Sequence, residues 1–350
     1  MVVFLRGFSV YLPNVNYNYI ETMLQAGWEH VFTSLHVPEH TIDRQSVIEL
    51  FAYVAANNGK MIVDASPLTR KILQLDSYAD LAKFGVQNIR LDDGFSMEEI
   101  LQLQQDFTLI FNASVLTEID LKNYQAAGVH LDSAAVMHNF YPHEYTGLSE
   151  AYTIQKNQLF HKFGLRTQGF IAGDSKKRGP IFEGLPTVEL LRATSPSIAY
   201  IFMSEHLGFD DVFIGDYKIS NQQRQAIDIF EIEHVLTLQC TAFSDEIDQY
   251  LNRLLSIRKD LSEHVIRFFG TRATENEQIL PKNTIERPVG SITLDNQLYG
   301  RYAGEFQIVK LPLPADKRVN VISSVICSGM KVFSFISANT PIYLTLKERE

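Results

Sequence analysis

Eight short apolar runs, each followed by a stretch with helical spacing, recur along the first two-thirds of the chain and leave few folds open to it. They span 2–10, 30–35, 61–64, 86–91, 107–112, 134–140, 166–171 and 211–215. Their mean interval of about 30 residues is the length of one βα unit. Hydrophobicity within each run is continuous rather than alternating, as expected of parallel strands covered on both faces. The stretches between them carry helix signals. Ser96 followed by Glu99 has the form of a capping box, and the apolar stripe from Ser46 to Ala56 ends at Asn57-Asn58-Gly59, a stop signal. Stretches 78–84, 117–127 and 148–163 each run into a glycine, namely Gly85, Gly128 and Gly164. There the chain can turn left-handed toward the next strand. No Gly-x-Gly-x-x-Gly follows the first run, which counts against a dinucleotide fold. The pattern predicts an α/β chain built on a (β/α)8 TIM barrel.

After about Glu231 the rhythm changes to short alternating pieces, among them Val265–Phe269, Ser291–Leu294, Phe306–Leu311 and Val319–Ile326. Turn formers separate them, so a small antiparallel β domain is expected. The predicted division is a barrel over 1–230 and a β domain over 231–350. A length of 350 residues accommodates both. Two cysteines, Cys240 and Cys327, make no disulfide framework or metal spacing and point to a reducing cytoplasmic setting. The net charge of -10 argues against a general grip on nucleic acid. The apolar N-terminus contains Arg6 and is too short for a membrane span. A homodimer suits a barrel enzyme, although no segment marks an interface.

In a barrel the strand ends converge on one mouth, where function resides. The stretch Ile89-Arg90-Leu91-Asp92-Asp93-Gly94-Phe95 puts carboxylates at such an end, and Asp64 closes the neighbouring strand. Paired carboxylates suit glycosidic cleavage: one donates a proton to the leaving oxygen while the other attacks or activates water. Asp64 can equally cap the turn entered at Ser66. Lys176, Lys177 and Arg178, lying in a glycine-bounded loop after the seventh run, suit a phosphate or simply face water. Glu183 in that loop is a third carboxylate. Glu39, Asn112 and Ser114 also stand at strand ends. His138, Asn139 and Tyr141 combine hydrogen-bonding and aromatic character fit for a sugar, though His138 can equally be a packed core group. His36, Glu39 and His40 lack the His-Glu-x-x-His spacing, so no metal is expected.

Several motifs together carry a resemblance. They are Gly7-Phe8-Ser9-Val10-Tyr11, Val63-Asp64-Ala65-Ser66-Pro67, the stretch from Ile89 to Phe95, and Phe111-Asn112-Ala113-Ser114. The longer ones run from His138 to Ser149, from Arg178 to Thr187 and from Asp295 to Glu305. The chain resembles the bacterial 6-phospho-N-acetylmuramidases nearly end to end. The resemblance implies a TIM barrel followed by a cyclophilin-like β domain. It also implies a cytoplasmic hydrolase, without cofactor, acting on a phosphorylated amino-sugar disaccharide to split N-acetylmuramic acid 6-phosphate from N-acetylglucosamine. By motif match it places Asp64, Asp92, His138, Asn139, Tyr141, Arg178 and Glu183 in the barrel site, and Arg301, Tyr302 and Glu305 in the β domain. At Pro142-His143-Glu144 the chain departs from the arginine-containing family version.

The expected catalytic set is therefore Asp92, Asp64 and Glu183. Substrate contacts are expected from Glu39, Asn112, His138, Asn139, Tyr141, Lys176, Arg178, Arg301 and Tyr302. Two rivals are a phosphosugar isomerase or epimerase on the same barrel, and a non-enzymatic sugar-binding protein whose β domain does the work. Product mass separates hydrolysis, which adds water, from isomerisation, which does not.

Overall fold

The computed structural model describes residues 5–12, 14–35, 43–66, 69–92, 94–273, 278–326, 333, 336 and 339–347. By internal contacts the chain divides into two compact units, Met1–Ser220 and Asn221–Glu350.

The first unit is a closed, all-parallel, eight-stranded barrel. Its strands are β1 (Leu5–Ser9), β2 (His30–Ser34), β3 (Lys60–Ala65), β4 (Val86–Leu91), β5 (Thr108–Asn112), β6 (Ala135–Met137), β7 (Arg166–Ile171) and β8 (Asp211–Ile214). Each of the eight apolar runs supplies one strand. The helices are α1 (Tyr17–Gln25), α2 (Arg44–Ala56), α3 (Thr69–Leu73), α4 (Asp80–Lys83), α5 (Met97–Leu103), α6 (Glu118–Ala127), α7 (Glu150–Lys162) and α8 (Pro196–Glu205). The capping box at Ser96 and Glu99 is present in both directions. At the end of α2 it is Asn58, with φ 60°, that turns left-handed, ahead of Gly59. Asparagine tolerates that conformation better than most side chains.

Side chains along a strand alternate between faces, and one set fills the barrel. Phe32, Ile62, Ile110, Ala135, Met137, Phe170 and Phe213 form one buried cluster. Burying each larger side chain contributes about 1.5–3 kcal/mol. Gly7 must stay a glycine here, because a Cβ would lie 2.2 Å from the Phe213 ring. This plug has a consequence for the mouth. Residues two positions further along the same strands share its inward direction, namely Ser34, Asp64, Asn112 and Asn139.

The second unit begins with α9 (Asn221–Glu233). Its strands are β9 (Leu236–Ala242), β10 (Leu254–Leu255), β11 (Val265–Arg267), β12 (Ser291–Asp295), β13 (Phe306–Val309), β14 (Val319–Val325) and β15 (Ile342–Leu346). They form one sheet in the order β10-β15-β9-β14-β12-β13-β11. Every pair is antiparallel except β9 with β15. The sheet is thus mixed at one pair, because the last strand returns beside the first in the same direction. Parallel pairing needs a long return path, and the chain between Ala242 and Ile342 supplies it.

Candidate active site

The mouth is organised by one buried guanidinium. Arg90 pairs in register with Asp64 across β3 and β4, and its Nη1 donates to Asp64 Oδ1 at 2.6 Å. The two side chains are 5% and 13% exposed. Arg90 Nη2 donates to Asn139 Oδ1. Asn139 Nδ2 donates to Ser114 Oγ at 3.2 Å, and Ser114 Oγ donates to Asn112 Oδ1 at 2.7 Å. Asn112 Nδ2 then donates to Asp92 Oδ1 at 3.2 Å. Donation therefore runs outward from Arg90 in both directions and ends on a carboxylate at each end. The chain orients both asparagine amides, since each oxygen must accept and each nitrogen must donate. Asp64 thus spends one oxygen on Arg90.

The neighbour of Asn139 behaves oppositely. His138 has the other strand parity, and its ring is buried against α7. Its Nε2 lies 2.9 Å from Asn157 Oδ1, and it packs edgewise on Phe160 and Phe209. Burial pulls its pKa down to about 4, with the Asn157 hydrogen bond opposing. The ring serves the layer between strand and helix, not the mouth.

The loops after β7 and β8 are built around Asp216. This carboxylate is fully buried and accepts backbone N–H groups from Gly173 at 2.8 Å, Arg178 at 2.8 Å and Leu185 at 3.1 Å. Burial pushes its pKa up, while those three amides pull it back. Above it, the Arg178 guanidinium lies 4.2 Å from the Tyr11 ring centroid and 5.9 Å from that of Phe140. The Tyr11 hydroxyl donates to Gly215 O at 2.7 Å. Phe140 in turn meets Phe170 of the barrel plug edge-on at 5.2 Å. Arg178 is therefore carried on the aromatic floor of the mouth.

Thr187 joins this loop to the one after β6. Its hydroxyl accepts from Phe170 N and donates to Asn139 O at 3.0 Å. Glu189 accepts from the backbones of Tyr145 and Gly147, and Arg192 grips Glu189. Arg192 first, against the cost of burial, holds the Glu189 carboxyl down to about 2. Tyr141 N donates to Pro186 O at 3.0 Å. Its ring is half-buried, and burial raises the hydroxyl's pKa.

Not every expected residue joins the network. Glu183 is exposed, and no hydrogen bond or ion pair ties it to Asp64 or Asp92 among the described residues. Glu39, like His36, His40 and Asp93, lies outside the described residues. Among the described residues no group of acidic, histidine or cysteine side chains could hold a metal ion. In the second unit, the Arg301 guanidinium lies 4.8 Å from the Tyr302 ring and donates to its hydroxyl, and Arg272 lies 4.9 Å from that ring. Glu305 there gathers Arg258, Arg267 and Arg272.

Sequence reasoning passed over Arg90 and gave Asp216 no role. The available signal for Arg90 was a cation inside an apolar run, which needs a partner wherever the run is buried. A cleft of about 520 Å³ opens at the strand starts, lined by Gln104, Gln105, Asp106, His130 and neighbours. It lies at the end opposite Asp64 and Asp92 and lacks a carboxylate pair. The strand-end mouth is the better candidate on chemistry.

Comparison with known proteins finds relatives over nearly the whole chain. A family profile described as 6-phospho-N-acetylmuramidase, N-terminal, matches residues 6–228, and one described as 6-phospho-N-acetylmuramidase, C-terminal, matches residues 235–345. Among solved structures the chain is similar to a conserved protein of unknown function from Enterococcus faecalis. They share 30% identity and a TM-score of 0.85, over 98% of this chain and 96% of that one. An uncharacterized B. cereus protein shares the fold at 23% identity and a TM-score of 0.74, over 98% of this chain and 100% of that one. None of the curated proteins matches.

Proposed function

The chain belongs to the 6-phospho-N-acetylmuramidase family, and from that premise we propose that it hydrolyses the bond between N-acetylmuramic acid 6-phosphate and N-acetylglucosamine in the cytoplasm. The observation that carries this reading is the chain of donors from Arg90, which ends on Asp64 and on Asp92 at the mouth of one barrel. Glycoside hydrolysis needs two carboxylates in different roles. Asp64, with a guanidinium as counter-ion, is the anionic partner for an oxocarbenium-like transition state. Asp92, whose carboxylate accepts from the neutral amide of Asn112, donates the proton to the leaving sugar oxygen. Asn112, Asn139 and Tyr141 line the sugar, and Lys176 and Arg178 answer its negative charges. Glu183 keeps its expected place as a third carboxylate of the catalytic set, Glu39, Arg301 and Tyr302 keep the substrate contacts expected of them, and His138 acts by holding Asn139 in place.

Release of N-acetylglucosamine from the phosphorylated disaccharide tests this. Asp92→Asn should lower turnover at least about a hundredfold. A substrate with a phenolate-type leaving group, which needs no proton, should recover much of that loss. Near-normal turnover of Asp92→Asn on the disaccharide would remove Asp92 from the chemistry.

A further inference from the structure

Two neighbouring loops at the mouth share an uncommon backbone feature. Tyr145, in the loop after β6, and Phe182, in the loop after β7, both have left-handed conformations, with φ 65° and 64°. Glycine and asparagine take up that conformation readily, whereas for a bulky side chain it is an outlier. Both rings nevertheless stand in water, Tyr145 89% and Phe182 61% exposed. An exposed ring alone is ordinary. A ring held out by a strained backbone is not, because the core gains nothing in return. Such strain persists where the surroundings enforce it, and it gathers at ligand sites.

The enforcing contacts lie directly behind the two rings. Arg192 Nη1 donates to Gly184 O at 3.0 Å, and its Nη2 donates to His143 O at 3.2 Å. One guanidinium thus ties both loops, two residues away from each ring-bearing position. Glu189, gripped by Arg192, accepts the Tyr145 N–H at 2.9 Å. On the other loop, Asp216 holds Leu185 N at 3.1 Å. Gly179 leaves room for the Phe182 ring, since a Cβ there would come within 2.9 Å of its Cζ. The ring therefore stands against the backbone next to Arg178, whose guanidinium lies over the Tyr11 floor.

We infer that Phe182, with Tyr145 on the neighbouring loop, forms the platform that receives the leaving N-acetylglucosamine. This rests on the hydrolase reading above and adds to it what grips the departing sugar. An exposed ring between Arg178 and Glu183 offers an apolar face beside polar groups. A pyranose ring presents the matching combination, with C–H groups on its faces and hydroxyls round its edge. A protein partner is the poorer match, because carboxylates such as Glu183 are depleted at protein interfaces.

The test separates the two halves of the substrate. Phe182→Gly removes the ring at a position whose φ suits glycine, so the variant should fold and melt close to wild type. On the disaccharide its kcat/KM should fall roughly tenfold or more. On the glycosyl fluoride of N-acetylmuramic acid 6-phosphate, whose leaving group is a single atom, it should match wild type. Phe182→Tyr, which keeps a ring, should retain the disaccharide rate. Added N-acetylglucosamine should inhibit wild type at a Ki roughly tenfold lower than it does Phe182→Gly. Equal losses on disaccharide and fluoride, or no loss on either, would overturn the platform. So would a wild-type dimer that Phe182→Gly turns into a monomer with disaccharide turnover unchanged, since the ring would then belong to a contact between copies. If wild type cleaves neither substrate, the hydrolase reading fails. Saturation-transfer NMR with N-acetylglucosamine then judges the platform alone: a signal lost in Phe182→Gly supports it, and equal signals sink it.

Discussion

Asp64 and Arg90 meet at 2.6 Å across two adjacent strands, with almost no water reaching either side chain. A buried pair of this kind is not strong support for the fold in itself, because desolvation offsets much of the attraction. Its value lies in orientation: Arg90 sets the donor direction for the entire line of groups that ends at Asp92.

Removing one partner should therefore be severe. Arg90→Leu leaves Asp64 buried without its counter-ion and should cost about 3–5 kcal/mol of stability, read by urea unfolding. Asp64→Asn combined with Arg90→Leu should cost less than the sum of the single changes, since no lone charge remains. Additive losses would mean that the two groups are not coupled.

The loop that carries Arg178 should loosen when Asp216 is changed. Asp216→Asn places an amide nitrogen where the carboxylate accepted backbone N–H groups. The amides of Gly173, Arg178 and Leu185 should then exchange with solvent roughly ten- to hundredfold faster. Hydrogen exchange resolved to those residues is the measurement. Protection equal to wild type would show that the loop is held by other contacts.

The barrel should gain stability as pH rises from about 4 to 6.5. Burial, the leading cause for both, pulls His30 and His138 down to about 4 in the folded state, while the unfolded side chains titrate near 6.5. Between those values the unfolded chain binds more protons, so stability climbs with pH. The contribution is fully present above 6.5 and is lost as pH falls through about 4. His138 contributes on the order of 3 kcal/mol at most. His138→Gln should flatten part of the slope in calorimetric melts across this window.

Asp295 should give the second unit the opposite slope. It is buried, and desolvation first, then the charge of Glu305, pushes its carboxyl up to about 7. Here the folded state binds the extra proton. The contribution is complete below about 3.8 and declines as pH rises through about 7, by an amount on the order of 4 kcal/mol at most. Asp295→Asn, which mimics the neutral acid, should remove that decline. Exchange protection of Thr293 and Val321 amides, followed from pH 4 to 7, would reveal it.

The barrel was legible in the sequence because strand-length runs recur at about the length of one βα unit, each followed by a stretch with helical spacing, from Val86–Leu91 to Arg166–Ile171 and beyond. Ser96 and Glu99 were legible because a capping box is local. Arg90 was not recognised, since its meaning depends on which residue of the next strand stands opposite, and register is a tertiary property. His138 and Asn139 were read alike, whereas strand parity sends them to opposite faces. The parallel pairing of β9 with β15 was also hidden, because residues about a hundred positions apart leave no shared local pattern. Inward placement of Asp64 and Asn112 follows from counting two residues beyond Ile62 and Ile110, once those are known to fill the barrel.

The dipeptide His138–Asn139 has one side chain anchored among Asn157, Phe160 and Phe209 and the next wired to Arg90. A single peptide unit therefore links the packing of α7 to the groups at the mouth. Distant substitutions such as Asn157→Ala would then be felt first in turnover and only afterwards in solubility. Variants selected for speed are expected to accumulate on that outer helix as readily as around the substrate.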